Sequence, residues 1–153
     1  MKPEIKKLKG SDIDLFVELI RLFEDVFEME AFSLPTKDYL QNVLLKPDFF
    51  VFVAIAGNKV VGGLTAYTLH QYYTTRPLAY IYDLAIARQF QRQGIGKKLI
   101  AATNLYCKEK GFEEVFVQAD KVDDYALKFY RSTSPTAEEQ TVHYFYTLDN
   151  MGK

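Results

Sequence analysis

The sequence predicts a mixed α/β fold, a sheet flanked by helices. Three observations point there: an order of segments reading β-α-α-β-β-β-α-β-α-β, apolar runs too short for anything but strands, and two stretches with helical spacing bounded by glycine or proline. With 153 residues, 48% of them hydrophobic and 25% charged, the chain can bury one real core and is read as a single domain, residues 1–153.

Glu4 to Lys9 reads as a first strand. Ser11-Asp12 then opens a helix whose apolar stripe runs through Ile13, Phe16, Val17, Ile20 and Phe23. Pro35-Thr36 starts a shorter helix over Lys37 to Leu45, ended by Lys46-Pro47. Phe49 to Ala56 is an almost unbroken apolar run and turns at Gly57-Asn58. Lys59 to Leu69 follows as a strand in which Gly62-Gly63 marks a bulge or a close backbone approach. Leu78 to Ala87 is the third long strand. Gln93 to Lys110 is a helix with Ile95, Leu99, Ala102 and Tyr106 on one side, stopped by Gly111. Glu114 to Ala119 is a short strand, Asp123 to Arg131 a helix, and Thr141 to Leu148 alternates as a last strand.

Composition excludes several functions. Nineteen basic residues against twenty acidic ones leave a net charge of −1, so no global field recruits nucleic acid or an anionic membrane. No segment is long and apolar enough to span a bilayer as a helix, and no apolar core of a signal peptide follows Met1-Lys2-Pro3-Glu4. A single cysteine, Cys107, has no partner within the chain and reads as structural, which fits a reducing, cytoplasmic setting. No His/Cys cluster has metal-ligand spacing, so no metal is expected. His70 is expected at the surface.

The chemistry concentrates where the strand Tyr82 to Ala87 leads through Gln91, Arg92, Gln93, Gly94, Ile95, Gly96 and Lys97 into a helix. Such a turn aims backbone N–H groups outward at the positive end of a helix, and glycine lets the main chain approach a diphosphate closely. Arg92, Lys97 and Lys98 add positive charge. A plain strand-to-helix turn is the bland alternative. The spacing matches neither a Walker loop nor Gly-x-Gly-x-x-Gly after an N-terminal strand, so a nucleotide-binding domain is disfavoured.

Gln91-x-x-Gly94-x-Gly96 behind that strand resembles the pyrophosphate signature of the GCN5-related N-acetyltransferase family. Asp123-x-x-Ala126-x-x-Phe129-Tyr130 is similar to the same family's second cofactor segment. Val26-Phe27-Glu28-Met29-Glu30, Ile81-Tyr82-Asp83-Leu84-Ala85, Gln118-Ala119-Asp120 and Val142-His143 resemble, more narrowly, the class I aminoglycoside 3-N-acetyltransferases.

The resemblance implies a mostly antiparallel sheet with a splayed strand pair, and acetyl-CoA as acyl donor. It implies that Leu84, Ala85 and Ile86 border the pantetheine, that residues 91–97 hold the diphosphate, and that Asp123, Ala126 and Tyr130 complete the cofactor site. Tyr130 is the implied general acid toward the departing thiolate, and the N–H of Leu84 or Ala85 the oxyanion donor. For the base, Asp83 stands out as a carboxylate interrupting an apolar strand, with Asp120 and Glu28 as rivals. Glu28, Glu30, Tyr82, Asp83, Asp120 and His143 are the expected acceptor contacts, suited to a small polycationic amine. Acetylation of a protein or peptide amine, or a non-catalytic acyl-CoA-binding module, are the competing functions. A homodimer is the expected quaternary state. Two departures from the family pattern stand out: Ser132-Thr133-Ser134-Pro135 where relatives carry a Gly-Phe turn, and Asp rather than Asn at 123.

Overall fold

A computed structural model describes residues 2–150. The chain divides into two compact units, one ending at Ala119 and one beginning at Asp120.

Among the described residues the first unit is a five-stranded sheet with three α-helices. Its elements are β1 (Glu4–Lys7), α1 (Ile13–Val26), α2 (Lys37–Leu44), β2 (Phe49–Ala56), β3 (Lys59–Leu69), β4 (Leu78–Ile86), α3 (Ile95–Glu109) and β5 (Glu114–Val117). The strands lie in chain order. The first four are antiparallel neighbours, and β4 and β5 pair in parallel, with α3 as the crossover a parallel pair requires.

β2 carries an unbroken apolar run because both faces of the sheet are covered there. Phe49, Val51 and Val53 join Phe16, Leu19, Phe23, Leu40 and Leu44 in one core under α1 and α2. Phe50 and Phe52 turn the other way and meet the Tyr106 ring of α3 at 5.3 and 5.9 Å. Thr36 caps α2 by accepting the Tyr39 N–H at 3.2 Å. Asp12 stands at the start of α1 as expected, but its carboxylate turns back to accept the Lys9 N–H at 2.7 Å and an ion pair from Lys6 at 3.2 Å.

The Gly62-Gly63 irregularity is real and has two parts. Ala54 opposes Gly62 and Ile55 opposes Val60, so Val61 is the extra residue of a bulge. The glycines themselves answer to close approach. A Cβ on Gly63 would lie 2.6 Å from Leu19 Cδ1 and 2.8 Å from the Phe52 carbonyl oxygen, and one on Gly62 2.6 Å from Ile86 Cδ1. Leu19 of α1, fully buried, therefore beds directly on the main chain of β3.

A second bulge was not foreseen. Thr65 opposes Asp83 and Ala66 opposes Ile81, which leaves Tyr82 as an unpaired extra residue in the middle of β4. At the same place the β4–β5 ladder stops, its last pair being Ile81 with Val117, while β4 runs on to Ile86. The two strands part there, as a splayed pair.

In the second unit, α4 (Asp124–Ser132) has Asp123 as its N-cap, accepting the Ala126 N–H at 3.0 Å. Its C-terminal end explains the missing Gly-Phe turn. Ser132 and Thr133 hydroxyls donate to the carbonyls of Phe129 and Tyr130, both at 2.6 Å, and Ser134 takes the left-handed φ of +59° that a glycine ordinarily takes. The expected last strand, Thr141 to Leu148, does not form: residues 141–147 have no regular structure, and Leu148–Asn150 is a single 3-10 turn. Alternation makes a segment fit to be a strand, but backbone groups need a partner strand, and among the described residues this one has none.

Candidate active site

The turn from β4 into α3 is built almost wholly from main chain. Gly94 is the N-cap of α3 at φ +82°, a conformation that costs a residue with a Cβ roughly 1–2 kcal/mol. A Cβ at that position would meet nothing within 4 Å, so the backbone there faces open space. Arg92 also has positive φ, +63°. Lys98 N–H is bonded back to the Gly94 carbonyl, so the N–H groups of the first turn of this 15-residue helix have no intrahelical acceptor and stand at its positive end. Gly96 and Ile95 are buried, whereas Arg92, Gln93, Lys97 and Lys98 are exposed around them. The Gln91 side chain reaches back to donate to the Ile86 carbonyl at 3.0 Å and ties the turn to the end of β4.

Past the parting point, the two-residue alternation of β4 decides which main-chain groups are available. Ala87 N–H donates to Val61 O at 2.8 Å, so Ala85, two residues earlier and opposite Gly63, also faces β3. Leu84 and Ile86 turn their N–H and C=O groups the other way, to the side that β5 no longer covers. Of the two oxyanion donors considered, Leu84 is thus the one on the open side.

The bulge does the rest. Adjacent strand residues ordinarily point to opposite faces, but with Tyr82 extra, Tyr82 and Asp83 both line one cavity of about 290 Å³. The bulge also frees the Asp83 N–H from the ladder, and the buried Thr65 hydroxyl accepts it at 3.3 Å. The rest of the lining is apolar or aromatic, with Phe27, Met29 and Phe32 from the loop after α1, Tyr39 of α2 and Tyr67 of β3 among it. That loop is held by two left-handed residues, Glu28 at φ +51° and Ala31 at φ +53°.

Burial pushes the Asp83 carboxyl above the usual carboxylate range, and among the described residues no cation pairs with it. Tyr67 is likewise pushed up, first by burial and then by Tyr82, Asp83 and Tyr39 beside it. A carboxyl with raised proton affinity among apolar side chains is suited to taking a proton from an ammonium.

Of the expected site residues in the first unit, Tyr82 and Asp83 meet in this cavity, and Leu84, Ala85 and Ile86 lead from it to the turn at 91–97. Glu28 and Glu30 lie on the wall-forming loop but are exposed, and the residue between them, Met29, is the one that lines the cavity. Their acidic neighbours are engaged elsewhere: Glu24 with Arg21 at 2.8 Å, Asp25 with Arg88 at 3.0 Å. The second unit holds Asp120, whose carboxylate accepts the Val122 N–H, Asp123 and Ala126 at the start of α4, and Tyr130 near its end, half-buried with its ring against Phe129. His143 is exposed and stacks on Phe145. Cys107 is buried, its thiol pushed up to about 11 by desolvation, as a structural cysteine should be. His70 is exposed, 2.8 Å from Asp48.

Sequence reasoning missed Tyr67, Thr65 and Phe32, and it read the Val26-to-Glu30 motif for Glu28 and Glu30 rather than for Phe27 and Met29, which line the cavity. Tyr67 is detectable in principle as a polar-tipped aromatic in an apolar strand. Thr65 acquires its role only from the bulge across from it.

Comparison with known proteins adds to this geometry. Residues 15–133 match the model of the Acetyltransferase (GNAT) family. Crystal structures of the aminoglycoside acetyltransferase meta-AAC0020, from an uncultured soil metagenomic sample, superpose with a TM-score of 0.94 over 95% of both chains. The sequences are 64% identical in its complex with trehalose and 63% in its complex with sisomicin. The aminoglycoside acetyltransferase HMB0005, also from an uncultured soil metagenomic sample, is 28% identical, with a TM-score of 0.89 over 96% of this chain and 99% of its own. A search of curated protein sequences returned no match.

Proposed function

The chain belongs to the GNAT family of N-acetyltransferases, which use acetyl-CoA as acyl donor, and from that premise we propose that it acetylates a primary amine of an aminoglycoside-type acceptor, a small polycationic molecule. The observation that carries the proposal is the Asp83 carboxyl, placed by a bulge in an apolar cavity one residue before the open backbone of Leu84. The sisomicin complex of the 63%-identical meta-AAC0020 supports the acceptor class.

The residues present fit acetyl-CoA. A Cβ at 94 would project into the open space before the α3 N-terminus, where the main chain of residues 91–97 can hold a diphosphate, and Leu84 and Ile86 can pair with amide groups as a neighbouring strand would. Bound there, the thioester supplies an activated acyl carbon with a thiolate leaving group.

In the proposed reaction Asp83 takes one proton from the ammonium, directly or through a water, and frees the nitrogen lone pair. As the C–N bond forms, Leu84 N–H stabilises the charge gathering on the acyl oxygen. As the C–S bond breaks, the nitrogen sheds its second proton to solvent and Tyr130 gives its own proton to the departing sulfur, a role that rests on the Asp123-to-Tyr130 motif alone. Solvent restores both protonation states. Asp123 and Ala126 are assigned to the cofactor on the same motif, and Asp120, Glu28, Glu30 and His143 to the outer acceptor contacts.

We read residues 1–153 as one functional domain and the protein as a cytoplasmic resistance enzyme; no helix among the described residues is long and apolar enough to cross a membrane. We read it also as a homodimer, on the exposure of Tyr144, Phe145 and Tyr146.

Thiol release from acetyl-CoA, measured across aminoglycosides, linear polyamines and lysine peptides, tests the proposal. Turnover is expected with aminoglycosides. Turnover confined to peptides would replace the acceptor, and coenzyme binding without release from any amine would make the chain a binding module.

A further inference from the structure

The cavity contains one carboxylate and a great deal of aromatic surface, which is an odd equipment for a polycation. Among the described residues, Asp83 is its one acidic lining residue. Charge there can satisfy one ammonium and no more.

The aromatic surface is organised. Tyr82 stands perpendicular both to Tyr67 (5.7 Å, 87°) and to Tyr80 (5.9 Å, 87°). Tyr80 is in turn stacked on Phe116 across β4 and β5 (4.8 Å, 8°), with its hydroxyl donating to Gln118 Oε1 at 3.1 Å. Tyr67 is backed by Phe49, and Phe49 by Phe16. Edge-to-face contacts of this kind are favourable and hold rings in place. Yet Tyr82 remains 59% exposed and Tyr67 41%. Large rings held in contact with aromatic neighbours and still this exposed, both lining the cavity, are presented rather than packed. The same bulge that exposes Tyr82 delivers Asp83 to the cavity beside it.

We infer that Tyr82, backed by Tyr67, is a stacking platform for the saturated six-membered ring that bears the acceptor amine, so that the site selects ring-borne amines over linear ones. The inference rests on the acetyltransferase reading above and adds what it selects. A saturated ring presents a face of C–H bonds, weakly positive, to the negative face of the aromatic ring. Its amine then projects to the neighbouring carboxylate. A flexible polyamine has no such face; cation–π attraction to the same tyrosines is common to both acceptor kinds and does not separate them. The cavity, about 290 Å³ and at the small end for ligand pockets, suits one ring rather than several.

The test compares an aminoglycoside with spermidine in wild type, Tyr82→Ala, Tyr82→Phe and Tyr67→Leu. In Tyr82→Ala, kcat/KM for the aminoglycoside should fall at least tenfold more than for spermidine, chiefly through KM. Tyr67→Leu should show a smaller loss of the same sign, and Tyr82→Phe, which keeps the ring, should retain selectivity. Equal losses for both acceptors, or loss of selectivity in Tyr82→Phe, overturn the inference while leaving the acetyltransferase reading intact. A second arm needs no turnover. Saturation-transfer NMR with irradiation of the aromatic protons should reach the ring C–H protons of the aminoglycoside in wild type and vanish in Tyr82→Ala. Persistence of that transfer in Tyr82→Ala also overturns the platform. Thiol release from no amine at all would instead remove the reading beneath it.

Discussion

The two halves of the proposed site are built on opposite principles. The turn at residues 91–97 works through main chain, needs few side-chain identities beyond two glycines and some positive charge, and is contiguous in the sequence. The acceptor cavity works through side chains from α1, α2, β2, β3 and β4, tens of residues apart, and depends on a one-residue irregularity in β4. The comparison teaches that a backbone device is local and a side-chain device is tertiary. They should fail differently.

The largest expected effect lies on the cavity side. On the proposed base role, Asp83→Asn should lower transfer by about 10²–10⁴-fold with coenzyme affinity unchanged, read by thiol release and calorimetry. Unchanged turnover where chemistry limits the rate would hand the base role to Asp120 or Glu28. A pH series sharpens the same point. Burial holds the Asp83 carboxyl above its ordinary range, so the folded state binds that proton more tightly than the unfolded chain does. This favours folding below the ordinary carboxylate range and is lost as pH rises through the raised value. Asp83→Asn should therefore melt higher than wild type near neutrality, and the gain should shrink as pH falls.

Gly63→Ala comes next. Its Cβ would crowd the Phe52 carbonyl oxygen and both Leu19 methyls, so a loss of about 1–3 kcal/mol is expected in urea unfolding. On the other side, Gly94→Ala has no clash but the wrong φ. It should lose about 1–2 kcal/mol and weaken acetyl-CoA binding, leaving the acceptor KM unchanged. An acceptor effect there would dissolve the distinction between the two halves. The smallest effect belongs to Arg88→Ala. It removes an exposed pair with Asp25 worth about 0.2–1 kcal/mol and should barely move the midpoint.

The turn proposed for the cofactor was legible as a strand-to-helix turn because every requirement for it sits within a few residues. The order Tyr82–Ala87, Gln91, Gly94, Gly96 states a strand, a turn and a helix start without reference to anything distant. The same holds for β2 and β3, whose observed bounds, Phe49–Ala56 and Lys59–Leu69, are those their turns and apolar runs predict. Asp83 stood out for a local reason too, a carboxylate in an apolar strand.

What the sequence by itself determined is therefore the element order as far as α4, the two long strands around Gly57-Asn58, the glycine turn and the identity of the odd carboxylate. Tertiary structure alone decided that Tyr82 is the extra residue of a bulge, that Thr65 holds the freed Asp83 N–H, and that loop 27–32 walls the cavity. It also decided that residues 141–147 form no strand in this chain, although their alternation suits one. The reason is the same in each case. Helix starts and tight turns satisfy their backbone groups from within a few residues, whereas a bulge, a ladder and a cavity exist only once another segment lies alongside.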